Sequence, residues 1–274
     1  MQFTKVHGLG NDFIILDGRT NTLDYKALAP RLCHRQTGIG ADGLLIIENS
    51  DRADIRMRIV NEDGSEAEMC GNGIRAFAKF VYEQGIVNKT EFGVETLAGI
   101  MRPKLVLKDG AVAAVTVDMG EPYLECAEIP VAGEGRCIDR ELTVQGQKLR
   151  YTTVLVGVPH TMIYVDDPTD KKWMGLGWDI EHASVFPKRT NVNFTHVVDD
   201  HTLVMRTFER GCGPTLACGT GACSAAVASF LNGFTGRSVD VNIELGTLHI
   251  DWAQDNHVYM TGPAEIVYSG EIKL

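Results

Sequence analysis

Most of this 274-residue chain alternates short apolar, often β-branched runs with glycine-rich turns, which predicts many strands and few helices. Two stretches, residues 25–37 and 74–84, instead repeat apolar positions at helical spacing. A third, residues 222–231, is apolar on several sides, as burial of a helix within a sheet requires, and Gly233 marks its end. The predicted strands cover residues 2–7, 13–17, 44–48, 55–60, 92–95, 99–107, 112–119, 149–156, 161–165 and 204–209, with a loop and strand over 186–194 and strands around 260–264.

Turn signals separate these strands and organise the chain. Asp109-Gly110 is predicted to close a hairpin, and residues 157–160 to form a turn into the next strand. Residues 121–150 contain prolines and glycines but no candidate chemistry, so we expect them to cross between two halves. The last strand is expected to return to the first half.

The chain contains an internal duplication at an offset of 148 residues, since 218 − 70 = 148. Cys70 aligns with Cys218 in a shared Cys-Gly-x-Gly motif that follows a strand and precedes a helix. With one residue inserted in the second half, Asp17 then aligns with Asp166. Further pairs at the offset are Met57 and Met205, Arg58 and Arg206, Asn61 and Glu209, Gly71 and Gly219, Gly73 and Gly221, and Gly85 and Gly233.

Each half therefore places one cysteine at the start of a helix. Backbone N–H groups and the helix dipole favour a thiolate there, which predicts a lowered pKa for Cys218. The same N–H groups can hold a carboxylate. Two such thiols on opposite faces of one carbon can remove a proton from one face and return one to the other, which is racemisation or epimerisation. Burial as inert cysteines is the alternative, but packing requires neither the glycine neighbours nor a helix start.

Composition narrows the class of partner. The net charge of −10 and the pI of about 5.3 argue against nucleic acid and anionic membranes. No apolar run approaches the length of a membrane span, and the N-terminus has no signal-peptide pattern. The seven cysteines are an odd number, which together with the missing signal favours a cytoplasmic location.

Other chemistries for the cysteines stay open on these grounds. Cys212, Cys218 and Cys223 match zinc-site spacing only weakly, so no metal ligand is assigned. A cysteine hydrolase using Cys218 and His160 leaves Cys70 unexplained. The glycine turns lack the Gly-Lys-Ser/Thr of a phosphate loop, and the chain has no C-x-x-C redox pair. A binding module without enzymatic activity gives no reason for two thiols at two helix starts.

Two polar residues near the predicted turns have local interpretations of their own. Asn11 is either a ligand contact or a turn former. His160 is either an ordinary surface or core histidine or a group that tunes a thiol of the second half.

Seven motifs go beyond these local patterns: HGLGNDF, RIVNEDGSEAEMCGNG, Pro159-His160, RTNVNF, ERG, LACGTGAC and YMTGPA. Together they resemble the diaminopimelate epimerases over essentially the full length. Proline racemases are similar but carry MCGH where this chain has Asn72, and the similar phenazine-pathway isomerases lack the cysteine pair. The resemblance implies a cofactor-independent isomerase that interconverts LL- and meso-2,6-diaminopimelate in lysine and peptidoglycan precursor biosynthesis. A racemase of another amino acid is the alternative.

The resemblance also implies roles for residues of both halves. Cys70 and Cys218 would be the acid–base pair, one as thiolate and one as thiol, without a metal or other cofactor. His160 and Glu209 would adjust the thiol pKa values. Gly43 and Val158 depart from the family pattern, which mostly has Gln and Asn there. The implied substrate-binding residues are Asn11, Asn61, Gly71, Asn72, Asn191, Glu209, Arg210, Gly219 and Thr220.

The expected fold is α+β, with two pseudo-symmetric domains from the duplication. Each is expected to be a mainly antiparallel sheet curled round a central helix, with the active site in the cleft between them. The expected domains are residues 1–118 plus 264–274, carrying Cys70, and residues 119–263, carrying Cys218. The expected partners are a small amino-acid substrate and a second copy in a homodimer. The resemblance implies the homodimer, because the family is usually dimeric and Tyr268 resembles one of its dimer-contact positions.

Overall fold

A computed structural model describes residues 1–20 and 23–273. The chain divides into two compact units: unit 1 is Met1–Asp118 with Thr261–Leu274, and unit 2 is Met119–Met260. No helix among the described residues is long and apolar enough to cross a membrane. The elements in chain order are β1 (Gln2–Gly8), β2 (Asn11–Asp17), α1 (Tyr25–Cys33), β3 (Gly43–Glu48), β4 (Ile55–Asn61), β5 (Glu66–Ala67), α2 (Gly71–Glu83), β6 (Val94–Thr96), β7 (Gly99–Met101), β8 (Lys104–Lys108), β9 (Ala111–Asp118), β10 (Arg140–Val144), β11 (Gln147–Val156), β12 (Val158–Tyr164), α3 (Lys171–Glu181), β13 (Asn191–Asp199), β14 (Thr202–Glu209), β15 (Gly213–Thr215), α4 (Gly219–Leu231), β16 (Ser238–Ile243), β17 (Gly246–Trp252), β18 (Val258–Gly262) and β19 (Glu265–Glu271).

The sheet of unit 1 is covered by a helix on each face. Its strands run in the order β19-β1-β2-β3-β4-β6-β7, with β5 beside β4. Ile14 and Leu44 belong to the apolar cluster that includes α1, while Phe13 and Leu45 lie against Gly73 in the first turn of α2. Because successive side chains of a strand point to opposite faces, the central strands are apolar throughout rather than alternating.

Unit 2 has the same plan. Its strands run in the order β10-β11-β12-β13-β14-β16-β17-β18, with β15 beside β14. The helix α3 contributes Leu176 and Ile180 to a cluster with Val192 and Phe194 on one face. The helix α4 lies against β11, β12, β13, β14, β16 and β17 of the same sheet. It is buried on nearly every side, as its apolar composition predicts.

Strand pairing confirms the α+β class and the duplication. Most neighbouring strands are antiparallel, and two parallel pairs recur at equivalent places: β2–β3 and β12–β13, then β4–β6 and β14–β16. Ile59 pairs with Ala67, and Thr207 pairs with Thr215, at the offset of 148 seen in the sequence. The last strand, β19, pairs with β1, as predicted.

The β1–β2 hairpin of unit 1 and the equivalent β11–β12 hairpin of unit 2 correct one part of the alignment. Gly8 pairs with Asn11 around two turn residues, whereas β11 and β12 turn around Gly157 alone, which has a φ of +73°. The second half is therefore one residue shorter here, not longer. The predicted match of Asp17 with Asp166 is wrong, because it assumed the opposite.

Several element boundaries also differ from the sequence prediction. His160 lies inside β12 and not in a turn. The helix α1 ends at Cys33 and not at residue 37, because the N–H groups of Ile39 and Gly40 bond back to the carbonyl of Leu32. The predicted strand over residues 99–107 is divided into β7 and β8 around Pro103, which has no N–H to donate. The helix α3 and the strands β5, β10, β15, β16 and β17 were not predicted.

Candidate functional site

Cys70 is the N-cap of α2, as the glycine-rich turn predicts. Its backbone is extended, and its Sγ accepts a hydrogen bond from the N–H of Gly73 at 3.3 Å. The side chain is half-buried. Gly71 and Asn72 are the first residues of the helix, so their backbone N–H groups belong to its N-terminal end.

The side chains of Asn11 and Asn72 lie beside Cys70 and are hydrogen-bonded to each other. The Asn11 Oδ1 accepts from the Asn72 side chain at 3.2 Å and from the Cys70 thiol at 3.5 Å. The Asn11 Nδ2 donates to a carboxylate oxygen of Asp42 at 2.7 Å, and Arg35 donates to the other oxygen at 2.7 Å. Because a carboxylate only accepts, Asp42 fixes the amide so that its oxygen faces Cys70. Asp42 was not predicted as part of this site.

Asn61 ends β4 in the same region of unit 1. It pairs with Gly43, which in turn pairs with Phe13, so the three residues form a row across three strands. Its Nδ2 donates to the Ser65 hydroxyl at 2.9 Å. Gly43 contributes no side chain, and a Cβ built there would lie 2.8 Å from the carbonyl oxygen of Val60. Glycine at position 43, where the family pattern mostly has Gln, is therefore consistent with the close approach of β3 and β4.

Cys218 is the N-cap of α4, the position equivalent to Cys70. Its Sγ lies 3.5 Å from the Thr220 hydroxyl, and the side chain is only 6% exposed. Burial raises the pKa of the Cys218 thiol, and the Glu209 carboxylate raises it further, against hydrogen bonds from Thr220 and from the N–H of Gly221. The predicted lowering of this pKa is therefore wrong, because lost hydration outweighs the helix start.

His160 is fully buried behind the Thr220 hydroxyl. Its Nε2 lies 3.0 Å from that oxygen, and its Nδ1 lies 3.0 Å from the Asn193 side-chain nitrogen. Burial lowers the pKa of His160 to about 3, so the ring is neutral at physiological pH. Asn193 was not predicted as a site residue. The duplication could have identified it, because the equivalent residue of unit 1 is the apolar Leu45 and a polar replacement at a buried position is unusual.

The other candidates of unit 2 lie at the ends of β13 and β14. Glu209 accepts from the Thr215 hydroxyl at 2.6 Å. Asn191 donates to the Pro159 carbonyl at 2.8 Å and accepts from the backbone N–H of Arg210 at 2.9 Å. The side-chain amide of Asn191 thus fixes the backbone of Arg210, and the side chain of Arg210 is exposed.

Equivalent positions of the two units carry different side chains. The registers equate Asn11 with Val158 and Asn61 with Glu209. The amide that lies beside Cys70 in unit 1 is therefore replaced by an apolar side chain at the equivalent position of unit 2. Among the described residues, no group of three or more His, Cys, Asp or Glu side chains is placed to hold a metal ion.

Comparison with known proteins places this duplicated arrangement in a family. A family model described as diaminopimelate epimerase matches residues 3–125 and 152–267. The chain belongs to the diaminopimelate epimerase family. A diaminopimelate epimerase of Moorella thermoacetica is 51% identical over 278 aligned residues, covering 100% of both chains. Another from Caldanaerobacter subterraneus subsp. tengcongensis is 50% identical over 275 aligned residues, again covering 100% of both chains. Membership of this family makes the protein an isomerase.

Solved structures of more distant proteins share the fold. A PhzF-family phenazine biosynthesis protein of Bacillus anthracis aligns with a TM-score of 0.70 at 16% identity, covering 100% of this chain and 99% of that one. A probable proline racemase of Agrobacterium radiobacter aligns with a TM-score of 0.69 at 16% identity, covering 100% and 93%. At these identities the likeness shows the fold alone.

Proposed function

We propose that this protein interconverts LL- and meso-2,6-diaminopimelate, with Cys70 and Cys218 as its two acid–base groups. One thiolate takes the α-proton and becomes a thiol, and the other thiol gives its proton to the opposite face and becomes a thiolate. The observation that carries the proposal is that both cysteines are N-caps of equivalent helices in a duplicated chain. A packing role for either cysteine would not require that equivalence.

The helix starts also supply a site for the α-carboxylate. Backbone N–H groups of Gly71, Asn72, Gly219 and Thr220 lie in the first turns of α2 and α4. Such groups stabilise the negative charge that develops on the substrate as the α-carbon loses its proton. Because an amino-acid α-proton is very weakly acidic, this stabilisation is as necessary to the reaction as the bases themselves.

The resting protonation states follow from the surroundings of Cys218. Burial and Glu209 favour its thiol form, so we assign Cys218 as the proton donor at rest. The Cys70 thiol donates to the Asn11 Oδ1 in the structure, so Cys70 must lose that proton before it can accept the α-proton. The roles exchange after each turnover, which lets the enzyme act in both directions. His160 is neutral and does not carry the proton to the substrate itself, so we assign it a role through Thr220.

The far end of diaminopimelate needs partners for a carboxylate and an ammonium. We assign Arg210 to that carboxylate, because an exposed guanidinium can form a paired hydrogen bond with it. Asn191 positions the backbone of Arg210, and Asn61 lies at the equivalent strand end of unit 1. Val158 offers no hydrogen bond, and losing one contact of this kind costs about 0.5–1.5 kcal/mol. This weakens recognition without abolishing it.

The decisive experiment measures epimerisation and solvent exchange together in D₂O. Cys70→Ala and Cys218→Ala are each expected to lose epimerase activity by at least about 10²–10⁴-fold, the usual contribution of one acid–base group. Each variant keeps one thiol, so it should still exchange the α-proton of one stereoisomer without inverting it. Cys212→Ala, at an exposed cysteine of the same segment, is the control and should be fully active.

The same assay tests the substrate. Deuterium should enter the α-carbon of LL-diaminopimelate much faster than that of lysine, proline or histidine. Rapid exchange into one of these with none into diaminopimelate would make the protein a racemase of that amino acid. Full epimerase activity in either cysteine variant would refute the two-base mechanism.

A further inference from the structure

The residues beneath the two cysteine turns differ in one systematic way. Three neighbouring strands each contribute one buried side chain there. We call these sets the helix-facing triplets. The triplet of unit 1 is Phe13, Leu45 and Ile59, and the triplet of unit 2 is His160, Asn193 and Thr207. Their equivalence follows from strand register, because Leu45 pairs with Ile59 as Asn193 pairs with Thr207. All six residues are buried.

The apolar triplet shows what the fold alone requires. The same backbone is built in unit 1 without any polar side chain at these places. A buried polar triplet loses its hydration and must replace each lost hydrogen bond. The requirements of folding therefore do not explain the polar triplet of unit 2. Its hydrogen bonds continue through the Thr220 hydroxyl to Cys218.

Hydrogen-bond chemistry fixes the orientation of the Asn193 amide. Its Nδ2 faces the His160 Nδ1 at 3.0 Å and the Met162 thioether at 3.5 Å. A thioether can only accept, so the amide nitrogen belongs on that side. Its Oδ1 accepts from the Thr207 hydroxyl at 3.0 Å. Both ends of the amide are thus held.

The orientation of Asn193 then decides which nitrogen of His160 carries the proton. Since Nδ1 accepts from Asn193, a neutral ring carries its proton on Nε2. That N–H donates to the Thr220 oxygen at 3.0 Å. The hydroxyl hydrogen of Thr220 remains, and the Cys218 Sγ lies 3.5 Å away to receive it.

We propose that Asn193 and Thr207 are positioning residues that hold His160 in its Nε2-protonated form, so that the Thr220 hydroxyl donates to Cys218. This donation stabilises the thiolate that Cys218 becomes in each turnover. The inference rests on the proposed role of Cys218 as an acid–base group. The proposal also distinguishes the two cysteines. Cys218 is linked to a hydrogen-bonded triplet, whereas the triplet of unit 1 is apolar and cannot form hydrogen bonds.

Other charged and titratable groups surround this relay. Glu209 on β14 and Cys223 on α4 both act to raise the pKa of Cys218, while Arg210 acts to lower the pKa of His160. None of these is altered by a substitution at Asn193. An effect of the uncharged substitution Asn193→Leu on Cys218 therefore reports on the relay.

The experiment reads the tautomer and the thiol without needing turnover. In protein with ¹⁵N-labelled histidine, we expect the shifts of His160 to show a proton on Nε2. Asn193→Asp should move it to Nδ1, because a carboxylate can only accept. The alkylation rate of Cys218 by iodoacetamide at pH 8, followed by peptide mapping, should then fall about tenfold, the effect of one lost hydrogen bond. Asn193→Leu, which copies unit 1 without adding a charge, should lower the rate in the same direction.

Controls separate this role from a structural one. Thr195→Val alters a buried residue of the same strand and should leave both readouts unchanged. The combined variant His160→Phe, Asn193→Leu and Thr207→Ile copies the triplet of unit 1, and it should fold and retain its thermal midpoint while losing most turnover. A proton on Nδ1 in the wild type, wild-type alkylation in folded Asn193→Leu and Asn193→Asp, or unfolding of the combined variant would each overturn the proposal. Failure of the proposed function would instead appear as full activity of Cys218→Ala.

Discussion

The burial of His160 makes the stability of the fold depend on pH. Burial lowers its pKa to about 3, whereas an unfolded histidine titrates near 6.5. Between these values the unfolded chain binds a proton that the folded chain does not. The contribution of His160 is therefore fully present above about pH 6.5 and is lost as the pH falls toward 3, by up to about 1.4 kcal/mol per pH unit.

Urea unfolding between pH 4 and 8 tests this dependence. His160→Phe, which places the residue of unit 1 in unit 2, should flatten the decline of the unfolding free energy below pH 6.5. His201→Gln changes an exposed histidine and should leave the decline as in the wild type. Parallel curves for the wild type and His160→Phe would show that folding does not lower the pKa of His160.

The same residue marks how far the sequence predicts the site. The helix starts at Cys70 and Cys218 follow from local glycine patterns and were predicted. The sign of the Cys218 pKa was not, because it depends on burial by strands distant in sequence. Asn193 and His160 lie on neighbouring strands that are distant in sequence, and so the contact forms only when the strands pair. The contact between Asp42 and Asn11 likewise joins residues that are distant in sequence. Contacts of this kind are set by register, which the sequence pattern does not specify.

The cysteine helices illustrate a constraint that acts at the scale of an element. A Cβ on Gly221 would lie 2.8 Å from Asn193 Oδ1 and 3.2 Å from the Cys218 Sγ. A Cβ on the equivalent Gly73 would meet Cys70 and Leu45 side-chain carbons at 3.3 Å. The first turn of α4 therefore approaches its sheet through a fixed polar side chain, whereas that of α2 approaches through apolar ones that can shift.

Alanine at the two glycines should consequently have unequal effects. Replacing glycine in a helix favours folding by up to about 1 kcal/mol, while overpacking a filled site costs about 1–3 kcal/mol. Gly221→Ala is expected to lower the unfolding free energy by about 1–2 kcal/mol and to reduce activity, because Asn193 must move. Gly73→Ala should stay within about 1 kcal/mol of the wild type. Equal losses in urea unfolding would contradict this account.

Elements with strong local signals were predicted, and those that depend on tertiary packing were not. The Asp109-Gly110 hairpin and the three central strands of unit 1 follow from turn residues and continuous apolar runs. The helix α3 contains Gly175 and Gly177, which suggest a turn. It forms because Asp170 caps its start and Leu176 and Ile180 pack on the sheet. Tertiary burial here overrides a poor helix propensity.

At the scale of the whole molecule, one edge of unit 1 is exposed and apolar. In the described part of the chain β19 is the outermost strand of its sheet, beside β1. Val267 and Tyr268 on this strand are 52% and 46% exposed, and the Tyr268 ring packs edge-on against Phe3. An open edge with large apolar side chains invites pairing with another chain unless it is covered. We propose that a second copy covers it, which agrees with the homodimer expected from the family.

Sedimentation of the wild type and of Tyr268→Glu tests the dimer. A carboxylate placed in a dry interface has no partner there, and a penalty of about 3 kcal/mol weakens association more than a hundredfold. The wild type should sediment as a dimer at micromolar concentration, and Tyr268→Glu as a monomer with unchanged circular dichroism. Tyr123→Glu makes the same substitution at another exposed tyrosine, in unit 2, and should remain dimeric. A monomeric wild type would show that the monomer tolerates this exposed strand without a partner, and a dimeric Tyr268→Glu would show that the dimer interface does not include this edge.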